Sequence, residues 1–139
     1  MNKTDSEHVF IYNFNTGKER TGYPDKKSIQ LAFDSIAKKA TANDILLVFF
    51  AGHGTVAADK DNKKQFYFLS SDASSFTNPA ESGISTKELI EWIHPKNNKA
   101  QKRILILDAC NSGQAINDIS ENKDLMAVRS TDAGDEKKE

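Results

Sequence analysis

One histidine and the only cysteine of the chain stand in two short motifs that suit nucleophilic catalysis. The histidine lies in Ala51-Gly52-His53-Gly54, and the cysteine lies in Asp108-Ala109-Cys110-Asn111-Ser112-Gly113. A thiol is a poor nucleophile until it ionises, and a nearby imidazole can remove its proton or stabilise the thiolate. The two motifs therefore indicate acyl transfer by a His/Cys pair, provided that the fold brings His53 and Cys110 together.

Both motifs follow short apolar runs that have the character of buried strands. Residues 45–50 are six consecutive apolar residues, which predicts a strand covered on both faces, and residues 104–107 predict a second one. In open α/β sheets, ligands bind outside the carboxyl ends of the strands. We therefore expect both motifs at one sheet edge, with the backbone amides of Gly54 and Cys110 forming an oxyanion hole. Gly52 and Gly54 would let the backbone approach a substrate closely.

The rest of the chain alternates strand and helix patterns. Residues 8–12 and 66–69 read as strands, and apolar residues at helical spacing predict a helix from Ser28 to about residue 40. Ser85 and Glu88 have the spacing of a capping box before a second helix. This alternation predicts an α/β sandwich around a mostly parallel sheet.

Composition excludes several classes of function. The chain has 139 residues, which suggests one domain, and 19 Lys and Arg against 20 Asp and Glu. This balance argues against nucleic acid or an anionic membrane as partner. There is no apolar run of membrane-spanning length and no signal-peptide core in residues 1–7, so we expect a cytoplasmic protein. Neither a zinc-binding cluster nor a phosphate-binding loop is present, so no metal or cofactor is expected.

The two motifs, in this order, resemble those of the caspase-like cysteine peptidases. The closer similarity is to metacaspases and their bacterial relatives, whose motifs read Tyr-Ser-Gly-His-Gly and Asp-Ala-Cys-His-Ser-Gly. The similarity extends over roughly residues 9–117. It implies a three-layer α/β/α caspase-like fold and a cysteine endopeptidase acting on peptides or proteins. It also implies that His53 is the general base and Cys110 the nucleophile.

The resemblance also carries an expectation about the substrate. Asp108 matches an aspartate that metacaspases use in their primary specificity pocket, which implies Arg or Lys before the cleaved bond, since a carboxylate pairs with these cations. Ala51 stands at a pocket position where relatives often have serine, and Asn111 replaces a common histidine. Asp72 lies where metacaspases have acidic residues linked to calcium activation, although a loop-capping role is the simpler interpretation.

The resemblance covers part of the family's six-stranded sheet. The first strand and the small-subunit strands have no counterpart, so residues 1–119 are expected to be a partial, large-subunit catalytic domain that needs those N-terminal and small-subunit segments as partners. Residues 120–139 are charged and aperiodic, which predicts a flexible linker. Its basic residues are candidate self-processing positions, or only the composition of a linker: Lys123, Arg129, Lys137 and Lys138.

Two other readings of the sequence stay open. One is a caspase-like interaction module without peptidase activity. The other is a flavodoxin-like domain in which the two motifs are coincidental and Cys110 is a packing residue. His8 and His94 have no comparable setting and are interpreted as surface or packing residues.

Overall fold

The computed structural model describes residues 9–72 and 78–121, which form a mixed α/β fold. This class and its parallel sheet confirm the prediction. His8 and the basic residues of the predicted linker lie outside the described residues. The elements in chain order are α1 (Lys26–Lys39), β1 (Ile45–Gly52), β2 (Gly54–Ala58), β3 (Lys64–Leu69), α2 (Pro79–Ser82), β4 (Gly83–Ser85), α3 (Thr86–Ile93), β5 (Lys102–Ala109) and α4 (Ser112–Ser120).

Strands β1 and β5 form a parallel two-stranded sheet whose register runs from Ile45 opposite Lys102 to Gly52 opposite Ala109. One face of β1 points into the core that α1 and α3 cover. The opposite face of this two-stranded sheet is exposed. Its large apolar side chains, from β1 and β5, are 45–60% accessible: Ile45, Leu47, Phe49, Ile104 and Ile106. The prediction that residues 45–50 are covered on both faces is therefore wrong for the described residues, because the helices that pack on this strand lie on one side.

The remaining strands form an antiparallel sheet in the order β2-β3-β4. Strand β2 begins directly after His53, a feature that the sequence pattern did not predict. The predicted strand at 8–12 is not formed in residues 9–12, and the nearest pairing is one bridge between Phe14 and Gly22. In its place Tyr12 hydrogen bonds to Ser35 of α1, and this bond lowers the pKa of the Tyr12 phenol.

The core lies between α1, α3 and the buried face of β1. Its buried apolar members are Ile29, Phe33, Leu46, Phe50, Ile84, Leu89, Ile93 and Ala100. Helix α1 begins two residues before the predicted Ser28, because Asp25 is its N-cap and accepts from Ser28 N at 2.8 Å. Within the described ranges, no helix is long and apolar enough to cross a membrane.

A half-buried ion pair joins the starts of α1 and α3. Lys26 Nζ lies 2.9 Å from Glu88 Oε1 and donates to the carbonyl of Gly83 at 2.9 Å. Glu88 also completes the predicted capping box: its Oε2 accepts from Ser85 N at 3.0 Å, and its own N–H donates to Ser85 Oγ at 3.1 Å. Burial disfavours the charge of this carboxyl, but the hydrogen bonds from Lys26 and Ser85 outweigh it and lower the pKa of Glu88.

We expect Glu88→Gln to lower the free energy of unfolding by about 1 kcal/mol at neutral pH. Because the pKa of Glu88 is lowered in the folded state, its charge stabilises the fold above its unfolded pKa of about 4.3, and this contribution is lost as the pH falls through the folded value. Urea unfolding at several pH values measures the gap between wild type and variant. The matched control is Glu91→Gln, an exposed change on the same helix. A gap equally large at about pH 3 and about pH 7 would contradict this account.

Candidate active site

The parallel register aligns the ends of the two strands that carry the candidate motifs. Ala51 lies opposite Asp108, and Gly52 lies opposite Ala109. His53 directly follows β1 and Cys110 directly follows β5, so both predicted residues stand in the turns at the carboxyl end of the parallel sheet. Both residues are exposed.

Gly54 packs directly against the backbone of the cysteine turn. A Cβ atom at position 54 would lie 2.7 Å from the carbonyl oxygen of Cys110 and 2.5 Å from the ring of Phe66. Real Cβ atoms do not approach other heavy atoms so closely, so only glycine lets β2 pass this turn. The glycine expected to make room for a substrate thus makes room for the Cys110 backbone.

Gly52 has a conformation that favours glycine as well. Its φ angle is +157°, and a Cβ atom there would lie 3.2 Å from the ring of Phe68. The next residue, His53, is held through its backbone, because its carbonyl accepts from Leu69 N at 2.9 Å. This bond fixes the histidine turn to the end of β3.

Cys110 occupies a sharp turn from strand β5 into helix α4. The following residue, Asn111, is left-handed with φ 63° and ψ 15°, a conformation that asparagine tolerates better than most residues. Helix α4 then begins at Ser112, and Gln114 N in its first turn donates to the carbonyl of Asn111 at 3.0 Å. Asn111, read in the sequence only as a departure from the relatives, is the residue that allows this turn.

The predicted specificity residues lie beside the two turns. Ala51 and Asp108 face each other across the sheet, and both are exposed. Because side chains alternate along β5, Asp108 shares the exposed face with Ile104 and Ile106. Its carboxylate is therefore exposed to solvent two residues before Cys110.

Two further residues singled out in the sequence have structural contacts. Asp72 Oδ1 accepts from Ser70 Oγ at 2.6 Å and from Lys26 N at 3.3 Å, in keeping with the loop-capping interpretation. His94 Nδ1 accepts from Lys96 N at 3.2 Å in the turn after α3. Among residues 9–72 and 78–121, no group of three or more His, Cys, Asp and Glu side chains is arranged to hold a metal ion.

Comparison with known proteins assigns the family. The family model described as metacaspase, peptidase C14 domain, matches residues 1–119 of the 139. No curated protein and no solved structure matches the chain. The matched range contains both motifs, the five strands found in the described residues and the first eight residues of α4. The chain therefore belongs to the metacaspase, peptidase C14 domain family, a caspase-like family of proteases.

Proposed function

We propose that the chain is a cysteine endopeptidase in which Cys110 is the nucleophile and His53 is the general base. The observation that carries the proposal is the β1–β5 register, which brings both motifs to one sheet edge. The close approach of Gly54 to the Cys110 carbonyl supports it, because this contact joins the two turns. The family match supports the reaction class.

The proposed reaction follows from the chemistry of these side chains. His53 takes the proton of the Cys110 thiol, and the sulfur attacks the peptide carbonyl. The amides of Gly54 and Cys110 donate to the oxyanion of the tetrahedral intermediate. His53 then gives the proton to the leaving amine, and a thioester joins the acyl group to Cys110. Water activated by His53 hydrolyses this thioester and restores the thiol.

No cofactor is needed in this scheme, because thiolate and imidazole supply both the nucleophile and the proton transfer.

The proposal is tested by measuring hydrolysis of fluorogenic peptides by the full-length protein, with and without calcium. The peptides carry Arg, Lys or Asp before the cleaved bond. Cleavage that depends on Cys110 supports the proposal. Equal cleavage rates with and without calcium would show that the reaction needs no calcium. Faster cleavage with calcium would show that this ion activates the enzyme.

Substrates with Arg or Lys before the cleaved bond fit the exposed Asp108 carboxylate. We expect Asp108→Asn to reduce kcat/KM for arginine peptides by about 10²-fold, mostly through KM, because the substrate cation loses its partner. Asp61→Asn makes the same charge change in the exposed turn between β2 and β3 and should leave kcat/KM unchanged. Equal rates for Asp108→Asn and wild type on arginine peptides would overturn this specificity.

A second candidate function is an interaction module without peptidase activity. The exposed apolar face of β1 and β5, formed by Leu47, Phe49, Ile104 and neighbouring residues, favours it, since such faces mark interaction sites. A folded protein that binds a partner but cleaves no peptide would support this candidate over the first.

A further inference from the structure

Helix α4 is tied to strand β3 by one carboxylate. Asp118 Oδ2 accepts from the backbone N–H of Phe66 at 3.2 Å, across 52 residues of sequence. Its other oxygen, Oδ1, accepts from Gln114 Nε2 at 2.8 Å. Both bonds are partly buried. The carboxylate is thus held by its own helix and reaches the backbone of a strand.

Phe66 is paired with β2, but its N–H lies beyond the end of the β3–β4 pairing. Pairing of β3 with β4 begins one residue later, at Tyr67 opposite Ser85. The Phe66 carbonyl is also held by a side chain, because it accepts from Thr86 Oγ1 at 3.3 Å. A buried backbone N–H without a partner is costly, so the carboxylate of Asp118 replaces the missing strand at this point.

Phe66 connects its hydrogen bond with Asp118 to the proposed catalytic residues. Its side chain is 2% exposed, and its ring fills the space against Gly54 beside the Cys110 carbonyl. Strand β3 pairs with β2, which begins directly after His53, and Val56 lies opposite Phe66. Helix α4 begins two residues after Cys110. The Asp118–Phe66 bond therefore joins the element that follows the cysteine turn to the strand that supports the histidine turn.

We propose that Asp118 is a positioning residue, which holds the Cys110 turn at the distance from His53 and Gly54 that acyl transfer needs. This inference rests on the proposed function. Without the bond, α4 loses its polar contact with the Phe66 backbone, and the Cys110 turn can move away from Gly54. A displacement of about 1 Å in the reacting groups can cost about 10²-fold in rate.

Asp118→Ala and Asp118→Asn form the test pair in the full-length protein. We expect alanine to lower kcat on an arginine peptide by about 10- to 100-fold, with KM unchanged within about two-fold. Asparagine keeps an oxygen for the Phe66 N–H, and Gln114 can reverse its amide to match, so we expect kcat within about three-fold of wild type. Asn117→Ala changes the neighbouring exposed residue of α4 and serves as the matched control.

A second measurement separates positioning from stability. Hydrogen exchange of the Phe66 amide should be faster in Asp118→Ala and unchanged in Asp118→Asn. If Asp118→Ala does not fold, Gln114→Ala removes the donor to Asp118 Oδ1 and should lower kcat by about five-fold or more. A kcat within about two-fold of wild type in Gln114→Ala would then overturn the positioning role.

Four outcomes would overturn one or the other proposal. A kcat within two-fold of wild type in folded Asp118→Ala overturns the positioning role, and so does an equal loss in Asp118→Asn. A wild-type protein without cleavage that depends on Cys110 overturns the proposed function instead. In that case hydrogen exchange of the Phe66 amide still tests the Asp118–Phe66 hydrogen bond. An unchanged exchange rate in Asp118→Ala would show that this bond does not hold the Phe66 amide.

Discussion

Cys110→Ala is expected to lower kcat on arginine and lysine peptides by about 10⁴-fold or more, because the variant has no thiolate to attack the carbonyl. Cys110 is exposed in its turn, so removal of the sulfur leaves no cavity in the core. The fold should therefore be retained. We expect His53→Ala to have a similar effect, and the double variant to lose little more than either single one, since residues that act as a unit are not additive.

Steady-state kinetics of the three variants, with circular dichroism to confirm folding, measure this effect. Cys110→Ser is the matched control for size, and we expect it to be close to background because a hydroxyl is a much weaker nucleophile than a thiolate. Cleavage that persists in Cys110→Ala would show that another nucleophile performs the reaction.

Gly54→Ala is expected to lower both activity and stability, although it adds only one methyl group. The new Cβ would lie 2.5 Å from the Phe66 ring and 2.7 Å from the Cys110 carbonyl oxygen. The ring is buried and the carbonyl belongs to the backbone, so the Cys110 turn has to move. We expect kcat/KM to fall by about 10²-fold and the free energy of unfolding to fall by about 1–3 kcal/mol.

A double variant separates the two clashes. Phe66→Leu should relieve the clash with the ring in Gly54→Ala and restore part of the stability, but the clash with the Cys110 carbonyl remains, so activity should stay low. Chemical denaturation and peptide kinetics measure the two quantities. Full recovery of activity in the double variant, or wild-type activity in Gly54→Ala alone, would contradict the role given to this contact.

Local patterns predicted the sheet edge that carries both motifs. The apolar runs before the His53 and Cys110 motifs indicated two strands, and the parallel rule placed their ends together, as the register shows. The capping box of Ser85 and Glu88 was also predictable, because both partners lie within four residues. The residues that form each of these features are close together in the sequence, so the local pattern is enough to predict it.

Features that depend on distant partners could not be predicted. Strand β2 is defined by its pairing with β3, and its five residues, including Gly54, carry no strong strand pattern of their own. The apolar run of residues 45–50 looked buried on both faces, but burial depends on which helices pack against it. The bond from Asp118 to Phe66 spans 52 residues, and nothing in the sequence near either residue indicates it.

The most direct test of the central claim, that His53 activates Cys110 within one site, is covalent labelling with an arginyl peptide ketone whose electrophilic carbon replaces the cleaved carbonyl. Mass spectrometry of the full-length protein identifies the labelled residue and the rate of labelling. We expect one adduct on Cys110, formed about 10²-fold or more slowly in His53→Ala. An adduct at another residue, or equal labelling rates in wild type and His53→Ala, would contradict the claim.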